Sequence, residues 1–219
     1  MEPEASLGDV FTRSARGEFP PADGNIRFLP ATNELNHAVI SFTAHSLVVT
    51  DFDFDLIRSR LPPGDLNAPM SPQFLGWFAS QVNITADRPV VFHMVLCAFG
   101  EDVHHGLTLL ERQDLQSHPR ARAAAHYRRD VKTYSDPVGQ GVVTLGVGLG
   151  GRPEVGIEVD ESRRREGLGT ALALAALSLV RPGQALFAQV PPGHVAAVRA
   201  FLSAGYRPIC SEIQFPRTQ

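Results

Sequence analysis

Residues 154–181 read EVGIEVDESRRREGLGTALALAALSLVR, and this stretch decides the fold predicted for the second half of the chain. Its first six residues alternate apolar side chains with glutamate or glycine, a period of two that is typical of a β-strand. After an arginine-rich turn, Gly167 and Gly169 open a run of alanines and leucines typical of a helix packed on a sheet. Pro182-Gly183 ends that helix. The stretch therefore predicts a strand, a turn and a helix in direct succession.

The predicted start of that helix is suited to an anion. The first backbone N–H groups of a helix have no partner within the helix, and the helix dipole favours negative charge there. Glycines 167 and 169 let a phosphate approach without a Cβ clash, and residues 163–165 add three arginines. Taken alone, these residues fit a phosphate site, and they equally fit a glycine-tolerant helix start with solvated arginines.

Two segments together resemble the GNAT N-acyltransferase superfamily. Residues 159–169 resemble its coenzyme A motif, R/Q-x-x-G-x-G/A, with Arg164 in the first position. Residues 194–206, HVAAVRAFLSAGY, resemble its second motif, which usually reads asparagine, small residues, an aromatic residue and a closing Gly-Phe or Gly-Tyr. Both lie in the expected order on the predicted elements. The resemblance covers roughly residues 105 to 216.

The resemblance implies where the co-substrate, acetyl-CoA, would bind. Its pantetheine arm would lie in an opening between the strands that end at Val159 and Val190. There it would bond main-chain groups around Ile157, Glu158 and Val159, with His194 as a further contact. The pyrophosphate would rest on the amides of the turn and the helix start, namely Arg164, Arg165, Glu166, Gly167, Leu168, Gly169 and Thr170.

The resemblance also implies a mechanism, from which this chain departs at two positions. In such enzymes an amine attacks the thioester directly, a backbone N–H near Ile157 stabilises the oxyanion, and the thiolate leaves. Phe201 stands where a tyrosine often protonates the sulfur, and His194 stands where asparagine is usual. His194 and Glu158 are therefore the catalytic candidates. Further candidates are ordered water, Tyr127, Tyr134 and His126.

Three regions are predicted along the chain. Residues 1–35 show no sustained period and are interpreted as a poorly ordered arm or a wrapping segment. Residues 36–104 predict a β-α-α-β region that supplies part of the acceptor pocket or a dimer surface, so that a homodimer is one expected arrangement. Residues 105–219 predict β-α-β-β-β-α-β-α-β, a GNAT-like mixed sheet flanked by helices. The fold class is therefore α/β (α+β).

The predicted elements can be stated by their bounds. Helices are predicted over 54–61, 72–82, from 118 or 119 to 129 (capped by Ser117), 167–181 and 195–204. Strands are predicted over 38–49 (one strand or a hairpin), 89–99, 107–111, 131–135, 142–149, 154–159, 185–190 and 209–215. The arginines of the helix capped by Ser117 are interpreted as a solvated face, because the chain is acidic and few aromatic residues lie among them.

Composition excludes several classes of protein. With 219 residues, 43% apolar and 20% charged, the chain is typical of a globular protein. A net charge of -3 argues against nucleic acid as a partner. Two cysteines encode no disulfide framework, and the longest apolar run, residues 170–180, is too short to span a bilayer. The start lacks the pattern of a signal peptide. We therefore expect a cytoplasmic protein with no membrane partner.

Two other motifs point to different chemistry. Residues 146–151, GVGLGG, match the dinucleotide fingerprint G-x-G-x-x-G, but that mechanism needs a helix directly afterwards and a strand is predicted there. A glycine-rich hairpin is favoured.

The cluster Glu101, Asp102, His104 and His105 contains metal-ligand types without a metal-binding spacing, so we interpret it as an exposed linker and predict no metal.

The leading hypothesis is an N-acetyltransferase that moves an acetyl group from acetyl-CoA to a primary amine of a small molecule or a protein terminus. The main alternative is a non-catalytic acyl-CoA-binding sensor or scaffold module, because Phe201 has no proton to give. A third class, a dinucleotide-dependent oxidoreductase, would require a helix directly after Gly151.

Overall fold

A computed structural model describes residues 5–31, 34–82, 84, 90–100 and 106–217. The helices in this part of the chain are α1 Leu7–Ala15, α2 Phe54–Ser59, α3 Pro72–Gln81, α4 Pro119–Ala125, α5 Leu168–Ala175 and α6 Val195–Ser203. The strands are β1 Ile26–Leu29, β2 Asn36–Phe42, β3 His45–Val49, β4 Phe92–Phe99, β5 Leu110–Glu111, β6 Arg129–Ser135, β7 Gly141–Val147, β8 Pro153–Val159, β9 Ala185–Val190 and β10 Arg207–Pro216.

The chain divides into two compact units. The first contains residues 1–93 and 210–219, and the second contains residues 94–209. The division differs from the predicted boundary between residues 104 and 105. Residues 94–99 of β4 pair with β9 in the second unit, and residues 211–216 of β10 pair with β2 in the first.

The first unit contains the strands β1, β3, β2 and β10 in that order. β1 pairs with β3 in parallel, and β2 pairs with β3 and β10 in antiparallel fashion. Its core includes Ile57 from α2 and Phe78 from α3, and the Phe78 ring meets that of Phe215 edge to face at 5.0 Å. Of the two predicted alternatives for residues 38–49, the hairpin is correct.

The interpretation of residues 1–35 as a poorly ordered arm is wrong for α1 and β1. α1 begins with a capping box, in which Ser6 Oγ accepts from the Asp9 amide at 3.2 Å and Asp9 accepts from the Ser6 amide at 3.0 Å. The Phe11 side chain is fully buried. The spacing Ser6-x-x-Asp9 is the sequence signal for this helix start, with Asp in place of the usual Glu.

The second unit carries a mixed sheet in the order β4-β9-β8-β7-β6-β5. β8 and β9 are parallel, and the other neighbours are antiparallel. Val155 of β8 belongs to a core shared with Leu172 of α5 and Phe201 of α6. α4 contacts β6, β7 and β8, and its Arg120 lies against Gly156. Because successive strand residues face opposite sides, α4 covers the face opposite α5 and α6. The predicted α/β class, a mixed sheet flanked by helices, is confirmed.

Some predicted bounds are corrected. α4 ends at Ala125, and its cap is His118 rather than Ser117, because His118 Nδ1 accepts from the Arg120 amide at 3.1 Å. α5 ends earlier than predicted and continues as a 3-10 turn over Ala176–Leu179. After the glycine run the chain forms a short turn, Leu149–Gly151, and then enters β8. A strand follows the glycines, so they do not form the strand-to-helix turn that the dinucleotide fingerprint requires.

Candidate functional site

β8 and β9 separate after a short ladder. β8 pairs with β7 along its whole length, from Pro153 to Val159. With β9, in contrast, it pairs at two positions, Glu154 with Phe187 and Val155 with Ala188. Among the described residues, 156–159 of β8 therefore have no ladder partner on the β9 side. Backbone N–H and C=O groups at such an edge require water or a ligand as partners.

The chain passes from β8 to α5 through a tight turn. Asp160 opens it, since its carboxylate accepts from the amide of Ser162 at 2.9 Å and from its hydroxyl at 2.6 Å. Arg165 and Gly167 both take left-handed backbone conformations, with φ of 68° and 85°. This conformation favours glycine, and at Arg165 it costs on the order of 1 kcal/mol. The two reversals set the direction in which α5 begins.

The first turn of α5 approaches both β8 and α6 at Gly169. A Cβ placed on Gly169 would lie 3.6 Å from Ala200 Cβ and 3.6 Å from Val159 Cγ2, at ordinary contact distance. The amides of Leu168, Gly169 and Thr170 begin the helix and have no partner within it. They lie beside the unpaired edge of β8, so one region of the molecule offers two sets of backbone donors.

A cavity of about 1070 Å³ occupies this region. All the predicted cofactor-binding residues line it except Glu166 and Leu168. The Glu166 carboxylate instead accepts from Arg163 Nε at 2.7 Å, and the Leu168 side chain packs against the core of the second unit. The predicted residues that the structure brings together at the cavity are Ile157, Glu158, Val159, Arg164, Arg165, Gly167, Gly169, Thr170 and His194.

Arginines dominate the charge of the cavity. Glu158 and Glu161 are the acidic residues of its described lining. Arg163 donates to Gln140 Oε1, and Arg164 Nε donates to the Val159 carbonyl at 3.4 Å, so both side chains are held at the turn. The arginines that line the cavity are Arg120, Arg163, Arg164, Arg165 and Arg199. Their excess over the two carboxylates suits an anionic ligand.

The two residues at which the second motif departs from the superfamily have different surroundings. His194 caps α6, is exposed, lines the cavity and makes no side-chain bond to the helix start. Phe201 is 3% exposed and packs edge to face on Tyr206, with ring centroids 4.9 Å apart. Tyr206 in turn donates to the Ala173 carbonyl at 3.2 Å. Phe201 thus belongs to the core, and His194 alone of the two is positioned at the cavity.

The structure does not bring the other catalytic candidates, Tyr127, Tyr134 and His126, to the lining of the cavity. Tyr134 is buried in the core of the second unit. Burial raises the pKa of Tyr127 and that of Tyr134, which disfavours their ionised forms.

Sequence reasoning missed Arg120, because the arginines of α4 were interpreted as a solvated face. Arg120 lines the cavity, and its guanidinium lies against β8 at Gly156, where an added Cβ would stand 2.9 Å from Arg120 Cζ. The available signal was Gly156 itself, since an isolated glycine within a strand marks a close approach by another group.

A buried ion network supports β8 beneath the cavity. Glu154 is fully buried; its Oε2 accepts from Arg128 Nε and its Oε1 from Arg152 Nε, each at 2.7 Å. Burial raises the pKa of Glu154, but the charges and hydrogen bonds of Arg152 and Arg128 outweigh it and hold this pKa below its ordinary value. A Cβ at Gly148 would lie 2.6 Å from Glu154 Oε2, so the network requires glycine there.

Two kinds of site are not observed among the residues that the structure describes. They contain no cluster of three or more His, Cys, Asp or Glu side chains that could hold a metal ion. The predicted linker cluster of Glu101, Asp102, His104 and His105 lies outside them. No helix in the same part of the chain is long and apolar enough to cross a membrane.

Several solved structures are similar to the chain at low identity. A GCN5-related N-acetyltransferase from Kribbella flavida is 18% identical, with 60% of each chain covered and a TM-score of 0.40. A GNAT-family acetyltransferase from Colwellia psychrerythraea is 14% identical, with 67% of this chain and 63% of that one covered and a TM-score of 0.42. A GCN5-related N-acetyltransferase from Sphaerobacter thermophilus is 14% identical, with 68% and 59% covered and a TM-score of 0.38.

The match thus spans about 60% of the length of these similar structures. They bear the name of the superfamily that the two sequence motifs resemble. No protein-family model and no curated protein sequence matches the chain.

Proposed function

We propose that the cavity binds acetyl-CoA and that the protein transfers the acetyl group to a primary amine of a small molecule or a protein terminus. One observation carries this proposal: the ladder between β8 and β9 stops after two residue pairs, beside the first turn of α5. As a result, unpaired backbone groups at the edge of β8 and unpaired amides at the start of α5 both border the cavity. An acyl-CoA needs both, since its pantetheine arm carries amides and its pyrophosphate is an anion.

The two ends of the co-substrate would bind different elements. The pantetheine amides would bond the free edge of β8 from Gly156 to Val159. The pyrophosphate would bind the amides of residues 168–170, together with the Arg164 and Arg165 side chains. Arginine forms bidentate bonds with phosphate oxygens, so the excess of arginine around the cavity supports this orientation.

The chemistry would be direct acyl transfer. The amine nitrogen attacks the thioester carbonyl carbon, a C–N bond forms, the C–S bond breaks and the sulfur leaves as thiolate. A backbone N–H near Ile157 stabilises the oxyanion of the intermediate. An ammonium is not nucleophilic, so Glu158 accepts its proton directly or through water, and His194 donates a proton to the departing sulfur. Both side chains line the cavity.

A non-catalytic acyl-CoA sensor or scaffold is the second candidate. One observation favours it: Phe201 is buried against Tyr206, and the described lining of the cavity contains no tyrosine. Such a module would bind acetyl-CoA by the same groups without turnover. In either case we propose that the protein acts in the cytoplasm, where it would meet acetyl-CoA. Its assembly as a homodimer stays a prediction.

Calorimetry with acetyl-CoA tests the shared part of both candidates. The intact protein should bind acetyl-CoA. Gly169→Glu should abolish this binding, because the introduced carboxylate would occupy the proposed pyrophosphate site. Gly76→Glu is the matched control, since Gly76 is an exposed helical glycine with open space around it. Absence of binding by the intact protein would rule out both candidates. A thiol-release assay over a panel of amines then separates them, because a sensor releases no acceptor-dependent thiol.

A further inference from the structure

Arg120 lies unusually close to a strand backbone. It stands in the first turn of α4, and its guanidinium rests against β8 at Gly156, where any side chain would displace it. The Nε atom is buried and has no hydrogen-bond partner among the described residues. No carboxylate in that part of the chain lies within ion-pair distance of the guanidinium.

Among the described residues, no neighbouring carboxylate forms an ion pair with Arg120, although the charge of Glu158 acts on it through space. Glu154 is occupied, because Arg128 and Arg152 each take one of its two oxygens. Burial and then the charge of Arg128 lower the pKa of Arg120 to about 10, and Glu158 opposes this shift through space. Arg120 is therefore a half-buried cation whose buried Nε has no partner among the described residues, an arrangement that favours an accompanying anion.

The position of Arg120 separates it from the proposed pyrophosphate site. Gly156 precedes Val159 by three residues, and a strand rises about 3.3 Å per residue, so the two ends of this segment are roughly 10 Å apart. The turn into α5 follows Val159, whereas Arg120 lies at Gly156, one residue before Ile157, where the thioester would react. Along β8, Arg120 thus lies nearer to the proposed acceptor end of the cavity than to the phosphate end.

Arg120 has a carboxylate as its neighbour at this end of the cavity. Gly156 and Glu158 point to the same face of β8, because side chains alternate along a strand. Both Arg120 and Glu158 line the cavity. A planar guanidinium suits the bidentate binding of a carboxylate, and a carboxylate suits the binding of an ammonium.

We infer that the acceptor is a small amine that carries its own carboxylate, as a free amino acid does, with the carboxylate on Arg120 and the ammonium on Glu158. This inference rests on the proposed function and narrows its acceptor to zwitterions. It makes Arg120 a specificity-determining residue, which contacts the acceptor but no reacting atom.

Matched acceptors test the inference during turnover. Thiol release from acetyl-CoA is followed with L-alanine, L-glutamate and L-phenylalanine, and with the α-amide of each. The amino acids should exceed their amides about 10- to 100-fold in kcat/KM, the range expected for losing a bond to a charged group. Arg120→Gln should remove this preference through KM, and Arg120→Lys should restore part of it. Arg122→Gln, an exposed arginine on the same helix, should keep the preference.

Binding tests the inference without turnover. Calorimetry on the CoA-loaded protein compares the N-acetyl forms of the same amino acids with their amides, and tighter binding of the acids is expected. A far-UV circular dichroism spectrum and a cooperative unfolding transition like those of the parent show that Arg120→Gln folds. The inference is overturned, even if acetyl-CoA binds, when the acids and their amides have equal kcat/KM and equal affinity, or when neither binds. If acetyl-CoA does not bind, the proposed function fails, and titration of the acids and amides into the unloaded protein still decides the role of Arg120.

Discussion

Arg128 Nε donates to Glu154 Oε2 at 2.7 Å, and both side chains are buried in the second unit. Arg152 binds the other oxygen of the same carboxylate at the same distance. One buried carboxylate therefore binds two guanidinium groups, and each of its oxygens already accepts from an arginine other than Arg120. This network holds Glu154 of β8 from two sides.

Replacement of Glu154 by Gln should lower the free energy of unfolding by about 3–5 kcal/mol, because removing one partner leaves buried charges uncompensated. Chemical denaturation measures this change. Glu161→Gln, which alters an exposed carboxylate, should stay within about 0.5 kcal/mol of the parent. A loss of less than about 1 kcal/mol for Glu154→Gln would contradict the structural role of the network.

Acid should weaken the fold through the same carboxylate. The pKa of Glu154 is lowered in the folded protein, so in acid the unfolded chain binds more protons at this site. The stability it contributes is fully present above the ordinary value of 4.5 and is lost as the pH falls through the folded pKa. Denaturation curves from pH of about 6 down to about 3 should show this loss. The free energy of unfolding should depend less steeply on pH in Glu154→Gln than in the parent. Equal slopes in the two proteins would contradict this role of Glu154.

Gly169→Ala should separate stability from binding. A methyl group fits at this position at ordinary contact distances, and alanine stabilises a helix by about 0.5–1 kcal/mol over glycine. The same methyl group would narrow the cavity beside Val159 and Ala200, so acetyl-CoA affinity should fall. Thermal unfolding and calorimetry measure the two effects, with Gly76→Ala as a control that gains stability without losing affinity. If Gly169→Ala binds acetyl-CoA as tightly as the parent does, the pyrophosphate does not bind at this turn.

Phe201→Tyr should not create a proton donor. The Phe201 ring is buried against Tyr206, so an added hydroxyl would be placed in the core without an established partner. A loss of about 1–3 kcal/mol in stability is expected, with no gain in thiol release. Increased turnover would show instead that the new hydroxyl reaches the sulfur.

His194→Ala tests the proposed proton donor. The residue is exposed and makes no capping bond, so stability should change by no more than about 0.5 kcal/mol. Thiol release should fall about 100-fold or more, since a general acid contributes a rate factor of about 100 to 10,000. Acetyl-CoA affinity, measured by calorimetry, should change less than turnover does. Full activity in this variant would exclude His194 from catalysis.

The local elements of the second unit were predictable because their signals are local. The alternation of residues 154–159 and the alanine-rich run after Gly169 reflect the periods of a strand and a helix. The capping box that starts α1 was equally local but was overlooked, because the surrounding prolines and glycines indicated disorder. The ends of α4 and α5 were predicted too far along the chain, because tertiary packing rather than propensity ends a helix.

The sequence by itself determined the strand, the turn and the glycine-opened helix, since these depend on side-chain period and backbone freedom over a few residues. Tertiary structure decided where β8 leaves β9, that Phe201 faces the core, and that Arg120 from α4 reaches Gly156. Each of these relates residues that are distant in sequence. The physical reason is that pairing, burial and charge compensation depend on which distant groups meet, and no local pattern along the chain records that.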